Sequence, residues 1–198
     1  MELAELAALL GSRLDRELKP GRARHSRSVA ALAGELCSRH GLESRAGVVA
    51  GLAHDLCKDM PMTRQAELAT VYEGLSGQAF IYEGDIGEAA MHGPAAAGLL
   101  YLEYSCHDAE ILEAVALHTL GRAGMGNLAC IVYAADKLEP GRSHVEADFR
   151  AHCLELAPGD LFMAVLGDTI AWLRNAGLPV AKESLDLYDP AALREIDA

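Results

Sequence analysis

The sequence predicts an all-α fold. Apolar residues recur at helical spacing in one segment after another, and Gly and Pro separate these segments. Half of the 198 residues are apolar and rich in Ala and Leu, whereas aromatics supply only 5%, which favours close-packed helices over a sandwich of strands.

Leu3, Leu6, Leu9, Leu10 and Leu14 mark a helix over 2–18 that ends near Lys19-Pro20. Pro20 suits the first turn of a second helix, which runs to His40 and stops at Gly41. Its apolar face carries Val29, Leu32, Ala33, Leu36 and Cys37, with His25 one turn earlier. Residues 43–57 form a third helix, apolar nearly all round and therefore central. Met60-Pro61 breaks it, and Thr63 caps a fourth helix reaching Tyr72. Residues 73–87 hold four glycines without a period and read as an irregular loop.

His92-Gly93-Pro94 opens a helix to about Tyr104, and Asp108 caps the next, which ends at His118. Beyond the glycine-rich stretch 121–126, a further apolar helix spans 128–139 and ends at Pro140-Gly141. Helices over 145–156 and 161–175 follow, separated by Pro158-Gly159 and closed by Gly177-Leu178-Pro179. What remains reads as a loosely docked tail. The expected organisation is a single domain over 1–187 with a C-terminal tail over 188–198.

No run of about 18 uninterrupted apolar residues offers a membrane span. The start, Met1-Glu2-Leu3-Ala4-Glu5, lacks the basic residues of a secretory signal. Five cysteines without C-x-x-C spacing read as buried thiols in a reducing cytosol, so the expected location is cytoplasmic. A net charge of −12 argues against long nucleic acid and against an anionic membrane as partners. A small anionic substrate stays open, because basic residues gather beside particular histidines and aspartates. Arg22, Arg24 and Arg27 surround His25, Lys58 follows Asp55, Arg122 follows His118, and Arg142 lies beyond Asp136. A homodimer also stays open.

The chemistry lies in an ordered set of metal-type ligands: His25, His54-Asp55, His92, His118 and Asp136. Each has an ordinary reading. His54-Asp55 could end a core helix, although an Asp there opposes the helix dipole, and His118 could be a hydrogen-bonded core histidine. Asp136 could pair with Lys137 or an arginine. As a set they are harder to explain that way, because an ionisable Asp136 after Ile131-Val132-Tyr133-Ala134-Ala135 needs a partner or a metal. Imidazoles with carboxylates suit divalent transition metals and hydrolysis. His40, His107, His144 and His152 fall outside this set, the last three as surface residues.

These residues resemble the H…HD…H…H…D pattern of the HD superfamily of metal-dependent phosphohydrolases. The resemblance is closer to the YqeK-type symmetrical bis(5′-nucleosyl)-tetraphosphatase family. It rests on Arg22-Ala-Arg-His25-Ser26, Leu52-Ala-His54-Asp55-Leu-Cys-Lys58 and Met91-His92-Gly93-Pro94. More specific are His118-Thr119-Leu120-Gly121-Arg122 and Ala135-Asp136-Lys-Leu-Glu139-Pro140-Gly141-Arg142. Two positions depart from that family: Ala23 stands where an aromatic is usual, and Leu120 where a second Thr is usual.

The resemblance implies an HD-domain helical bundle holding two divalent ions, iron first, with manganese or another transition metal as alternatives. His25, His54, Asp55 and Asp136 would hold one ion and Asp55, His92 and His118 the other, with Asp55 bridging. A hydroxide between the ions would split diadenosine tetraphosphate into two ADP. Asp55, Lys58 and Arg142 are the expected catalytic residues; Arg22, Lys58, Thr119, Gly121, Arg122 and Arg142 are the expected substrate contacts. Glu139, three residues after Asp136, would orient a ligand. The same ligands would serve an HD phosphohydrolase acting on a nucleoside mono- or triphosphate or a guanosine alarmone. They would also serve a slow nucleotide-binding sensor or, less readily, a redox di-iron protein.

Overall fold

The computed structural model describes residues 1–80 and 84–188, with the backbone alone at 84–86. Among the described residues the chain forms helices and no strand. In order they are α1 (Leu3–Glu17), α2 (Pro20–Arg39), α3 (Ser44–Ala53), α4 (Met62–Ser76), α5 (Gly84–Ala90) and α6 (His92–Tyr104). Then come α7 (Ala109–Leu117), α8 (Asn127–Leu138), α9 (Ala147–Cys153), α10 (Pro158–Asn175) and α11 (Lys182–Leu187).

Most boundaries follow the local chemistry. Pro20 occupies the first turn of α2, and the Asp108 carboxylate accepts from the Glu110 and Ile111 amides at the start of α7. Four expectations need correction. The third helix ends at Ala53, not at residue 57: the amides of Leu56, Lys58 and Met60 bond to carbonyls three residues back, tightening the chain into turns. Thr63 caps nothing, since α4 starts at Met62 behind Pro61 and runs to Ser76, where Gly77 closes it at φ +67°.

The expected loop over 73–87 is the end of α4 and the start of α5, and its residues 81–83 lie outside the described residues. The expected loose tail is docked through α11, with Ala181 and Ser184 buried; residues 189–198 of it lie outside the described residues. At the remaining boundaries, α9 is shorter than expected and α10 begins at Pro158.

The core is continuous. Leu10, Leu14, Leu36, Leu56, Leu99, Ile111, Ile131 and Leu161 are fully enclosed, each contributing about 1.5–3 kcal/mol through burial. Small residues decide which helices meet. A Cβ at Gly51 would lie 2.5 Å from the Ala30 Cα, and one at Gly47 would lie 2.7 Å from the Ala33 carbonyl oxygen, so α3 lies directly on the backbone of α2. Gly98 does the same between α6 and α4, where a Cβ would overlap the Leu68 carbonyl oxygen. α3 is thereby held in the middle, packed on α1, α2, α7 and α8. All five cysteines are buried and unpaired. No described helix is long and apolar enough to cross a membrane.

Candidate metal centre

Helix ends deliver most of the cluster. His54 stands at the C-terminal cap of α3 with Asp55 in the turn after it, His92 opens α6, and His118 caps α7. Asp136 lies in the last turn of α8, and His25 in the second turn of α2. The structure brings all six together. His25 Nε2 lies 2.9 Å from Asp136 Oδ1, and His54 Nε2 lies 3.8 Å from both Asp136 Oδ1 and Asp55 Oδ2. Asp55 Oδ1 lies 3.2 Å from His92 Nε2 and 3.8 Å from His118 Nε2. The cluster is thus a chain of contacts, from His25 and Asp136 at one end to His92 and His118 at the other.

Each ring is aimed. Nδ1 of His54, His92 and His118 donates to the carbonyl three residues back, on Gly51, Ala89 and Val115, at 2.8, 2.7 and 2.7 Å. His25 Nδ1 donates instead to Glu139 Oε1 at 3.1 Å. Glu139 is anchored in turn by the Gly141 amide, which donates to Oε2 at 2.6 Å. With Nδ1 bonded outward, every Nε2 faces inward, the atom that a metal-ligating imidazole presents.

The charges agree. Burial pushes the His54 ring well toward neutral, and burial with two neighbouring imidazoles does so more strongly for His118. Burial would push the Asp55 carboxyl up, but the surrounding imidazoles and the Lys58 ammonium more than offset it and hold the group well below the usual range. Asp136 behaves likewise against Lys137 and His25. Neutral imidazoles at His54 and His118 beside ionised carboxylates are the ligand states a divalent ion needs, whereas at His25 burial is outweighed by the Asp136 and Glu139 carboxylates, which raise the pKa of the ring.

Two features fit such an ion more directly. His54 Nε2 is buried without a hydrogen-bond partner, although it points between two carboxylates. His92 Nε2 and His118 Nε2 lie 3.0 Å apart with both Nδ1 atoms bonded elsewhere, so the two nitrogens converge on one space. Two groups, His25 with His54 and Asp136, and His54 with Asp55 and His118, have ligand atoms within 4.8 Å of one another and could each hold a metal.

The expected substrate contacts divide. Arg22 bridges Asp55 (3.0 Å) and Asp59 (3.1 Å), Lys58 reaches Asp55 at 3.1 Å, and Arg142 reaches Asp136 Oδ1 at 2.7 Å and the Asp136 carbonyl at 2.8 Å. All three border the cluster. Arg27 turns away to Asp15 and Arg24 is exposed, so the basic run around His25 contributes only Arg22. The Thr119 hydroxyl lies 3.1 Å from His118 Nε2, at the cluster itself. Arg122 stands farther out, paired with Glu113 at 3.2 Å.

Lys137 matters more than the sequence suggested, where it figured only as one option for pairing with Asp136. Its Nζ donates to the His118 carbonyl at 2.9 Å and to Asp136 at 3.2 Å, and it lies 3.8 Å from the centroid of the Tyr133 ring. It ties both ends of the cluster together. The only sequence signal was a lysine next to an aspartate on an otherwise apolar helix.

A cleft of about 390 Å³ adjoins the His118 end, walled by Phe80, Pro94, Thr119, Leu120, Arg122 and Leu187. Gly121 also lines it with φ +71°, packed so tightly on Phe162 that a Cβ would lie 2.7 Å from the ring. The departure at Leu120 therefore falls on a cleft wall, whereas the departure at Ala23 is buried.

The arrangement of His25, His54-Asp55 and Asp136 agrees with the comparison of sequences: the family model of the HD domain matches residues 22–141. The chain belongs to the HD domain family. This HD protein is 33% identical over 132 residues to the symmetrical bis(5′-nucleosyl)-tetraphosphatase of Staphylococcus aureus, covering 66% of each chain. It is 28% identical over 168 residues to the enzyme of the same name from Bacillus subtilis, covering 83% of this chain and 86% of that one. Its fold matches, with a TM-score of 0.77 at 24% identity, a Clostridium acetobutylicum crystal structure described as a predicted HD superfamily hydrolase involved in NAD metabolism. That match covers 94% of this chain and 97% of the other.

Proposed function

We propose that this HD protein hydrolyses diadenosine tetraphosphate symmetrically to two ADP, with His25, His54, Asp55, His92, His118 and Asp136 holding two divalent ions, iron first. The observation that carries the reading is the aimed cluster, in which four Nε2 atoms converge on two ionised carboxylates. The names of the Staphylococcus and Bacillus relatives support the substrate.

Ions bound there would supply Lewis acidity and acidify a water molecule. The chain's own residues do the rest. Asp55 lies between the two halves of the cluster and is placed to share its oxygens between them. Overall, water adds to an inner phosphorus, the bond from that phosphorus to the central bridging oxygen breaks, and the two ADP leave with the protons of water distributed between them and solvent. Negative charge builds on the phosphoryl oxygens, and Lys58, Arg22 and Arg142 stand at the rim where they can neutralise it. The wide cleft beyond Thr119, with Arg122 on its wall, suits one nucleoside and its proximal phosphate.

The test is a product assay on diadenosine tetraphosphate with metal-loaded protein, separating nucleotides by chromatography. ADP as the sole product is the expected result; AMP with ATP would exclude symmetrical cleavage, and no turnover would exclude the substrate. Arg142→Ala is expected to keep its metal but raise KM by roughly tenfold or more, the effect of losing a charge-assisted contact to phosphate. Loss of metal from that variant, measured by elemental analysis, would instead make Arg142 part of the ligand scaffold.

A further inference from the structure

The cluster has a cleft at its other end as well. Asp136 and Arg142 form its inner wall, and it extends along α10 past Asp168 and Thr169 to Trp172 and His144, enclosing about 200 Å³. Trp172 is the sole tryptophan of the chain and keeps 44% of its surface exposed. Single exposed apolar side chains are common and by themselves mean little. This one is placed otherwise. The His144 ring lies against it, with centroids 5.2 Å apart and planes 34° apart, so a tilted pair of aromatic rings lines the cleft. The pair shares that cleft with Arg142, whose guanidinium lies 2.7 Å from Asp136 and 3.4 Å from His25 Nε2.

We propose that Trp172, backed by His144, is the stacking platform for the second nucleobase of a dinucleoside polyphosphate. The proposal rests on the activity proposed above. A substrate with a nucleoside at each end needs two base sites, one beyond each end of the ligand chain. The first cleft meets the cluster through Thr119, beside His118; the second meets it through Arg142, beside His25. A purine stacked on Trp172 would leave its phosphates running past Arg142 toward the cluster. Every purine has such a face, so the contact selects for a base rather than for a particular one. Asp168, one helical turn before Trp172, is available on the same helix face to accept from an exocyclic amine or a ribose hydroxyl. Dinucleoside substrates thereby gain over mononucleotides with the same phosphates.

Two measurements test this. In the first, kinetics are compared for diadenosine tetraphosphate and adenosine 5′-tetraphosphate, which has one nucleoside. Trp172→Ala is expected to raise KM for the dinucleotide by roughly ten- to a hundredfold, the range for loss of one base–aromatic stack, with kcat changed by less than about threefold. It should narrow the preference over adenosine tetraphosphate by the same factor, and Trp172→Phe should restore most of it. In the second, ADP is titrated into the wild type while the fluorescence of Trp172 is followed, and saturable quenching is expected.

A wild type that makes ADP from the dinucleotide, with KM unaltered in Trp172→Ala and no quenching, would overturn the platform and leave the proposed activity standing. A wild type that does not cleave the dinucleotide, yet shows quenching by ADP, would overturn the activity and leave a nucleotide site at Trp172.

Discussion

Asp55→Ala is expected to abolish both metal binding and turnover. Asp55 is 3% exposed in its side chain, and its carboxylate reaches both halves of the cluster, His54 on one oxygen and His92 and His118 on the other. Its loss separates the two halves. The fall in kcat should therefore go well beyond the roughly 10–100-fold that removing a residue behind a ligand costs. Folding should survive, because the cations left behind, Arg22 and Lys58, keep 26% and 42% of their side chains in solvent. The expected loss of stability is about 1–3 kcal/mol.

His54→Ala removes the buried Nε2 between the two carboxylates and should behave in the same way. The checks are elemental analysis, steady-state turnover of diadenosine tetraphosphate and a thermal melt on each variant. Full activity in the His54 variant would exclude the cluster as the reactive centre.

The second large effect is on the fold. Gly98→Ala adds one methyl group where α6 crosses α4, and that methyl overlaps the Leu68 carbonyl oxygen. A side chain could rotate away, but a carbonyl within a helix cannot, so the two helices must separate. Overpacking of this kind costs about 3 kcal/mol, which for a chain of this size lowers the melting temperature by about 6–12 °C. Gly74→Ala supplies the control on α4 itself. A Cβ there meets nothing within 4 Å, so Ala should stabilise by about 0.5–1 kcal/mol through helix propensity alone. Opposite signs from the same substitution would show that contact, not composition, sets the requirement for glycine at 98. Equal effects would exclude the close crossing. Because α6 begins at His92, its displacement should also weaken activity.

Gly98 also marks where the sequence ceased to be informative. Apolar runs located α1, α2, α6, α7 and α8 within a few residues, and Pro20, Asp108 and Pro140-Gly141 sharpened some of their ends. The third helix was overextended because Leu56 and Cys57 continue its apolar run, and a shift to three-residue hydrogen bonding leaves no mark on hydropathy. That shift matters chemically, since it directs Asp55 out of the helix and into the cluster. The short helices α5 and α11 were missed because neither carries a long enough apolar stripe.

The candidate ligands were legible because few residue types combine imidazole and carboxylate in so apolar a setting. What lies around them was less so. Lys137 acquires its importance from the His118 carbonyl, nineteen residues away in sequence, and Trp172 from Arg142 across the second cleft. Such neighbours are created by packing, and no local pattern announces them.

The four imidazoles differ in what fixes their direction. His54, His92 and His118 are each oriented by a carbonyl of their own turn, so those three rings aim correctly as soon as their short segments form. His25 is oriented by Glu139, 114 residues later in the chain. Its aim exists only once α2 has docked on α8. Three of the four rings are therefore self-registering, and the fourth is a latch whose aim depends on the closed bundle.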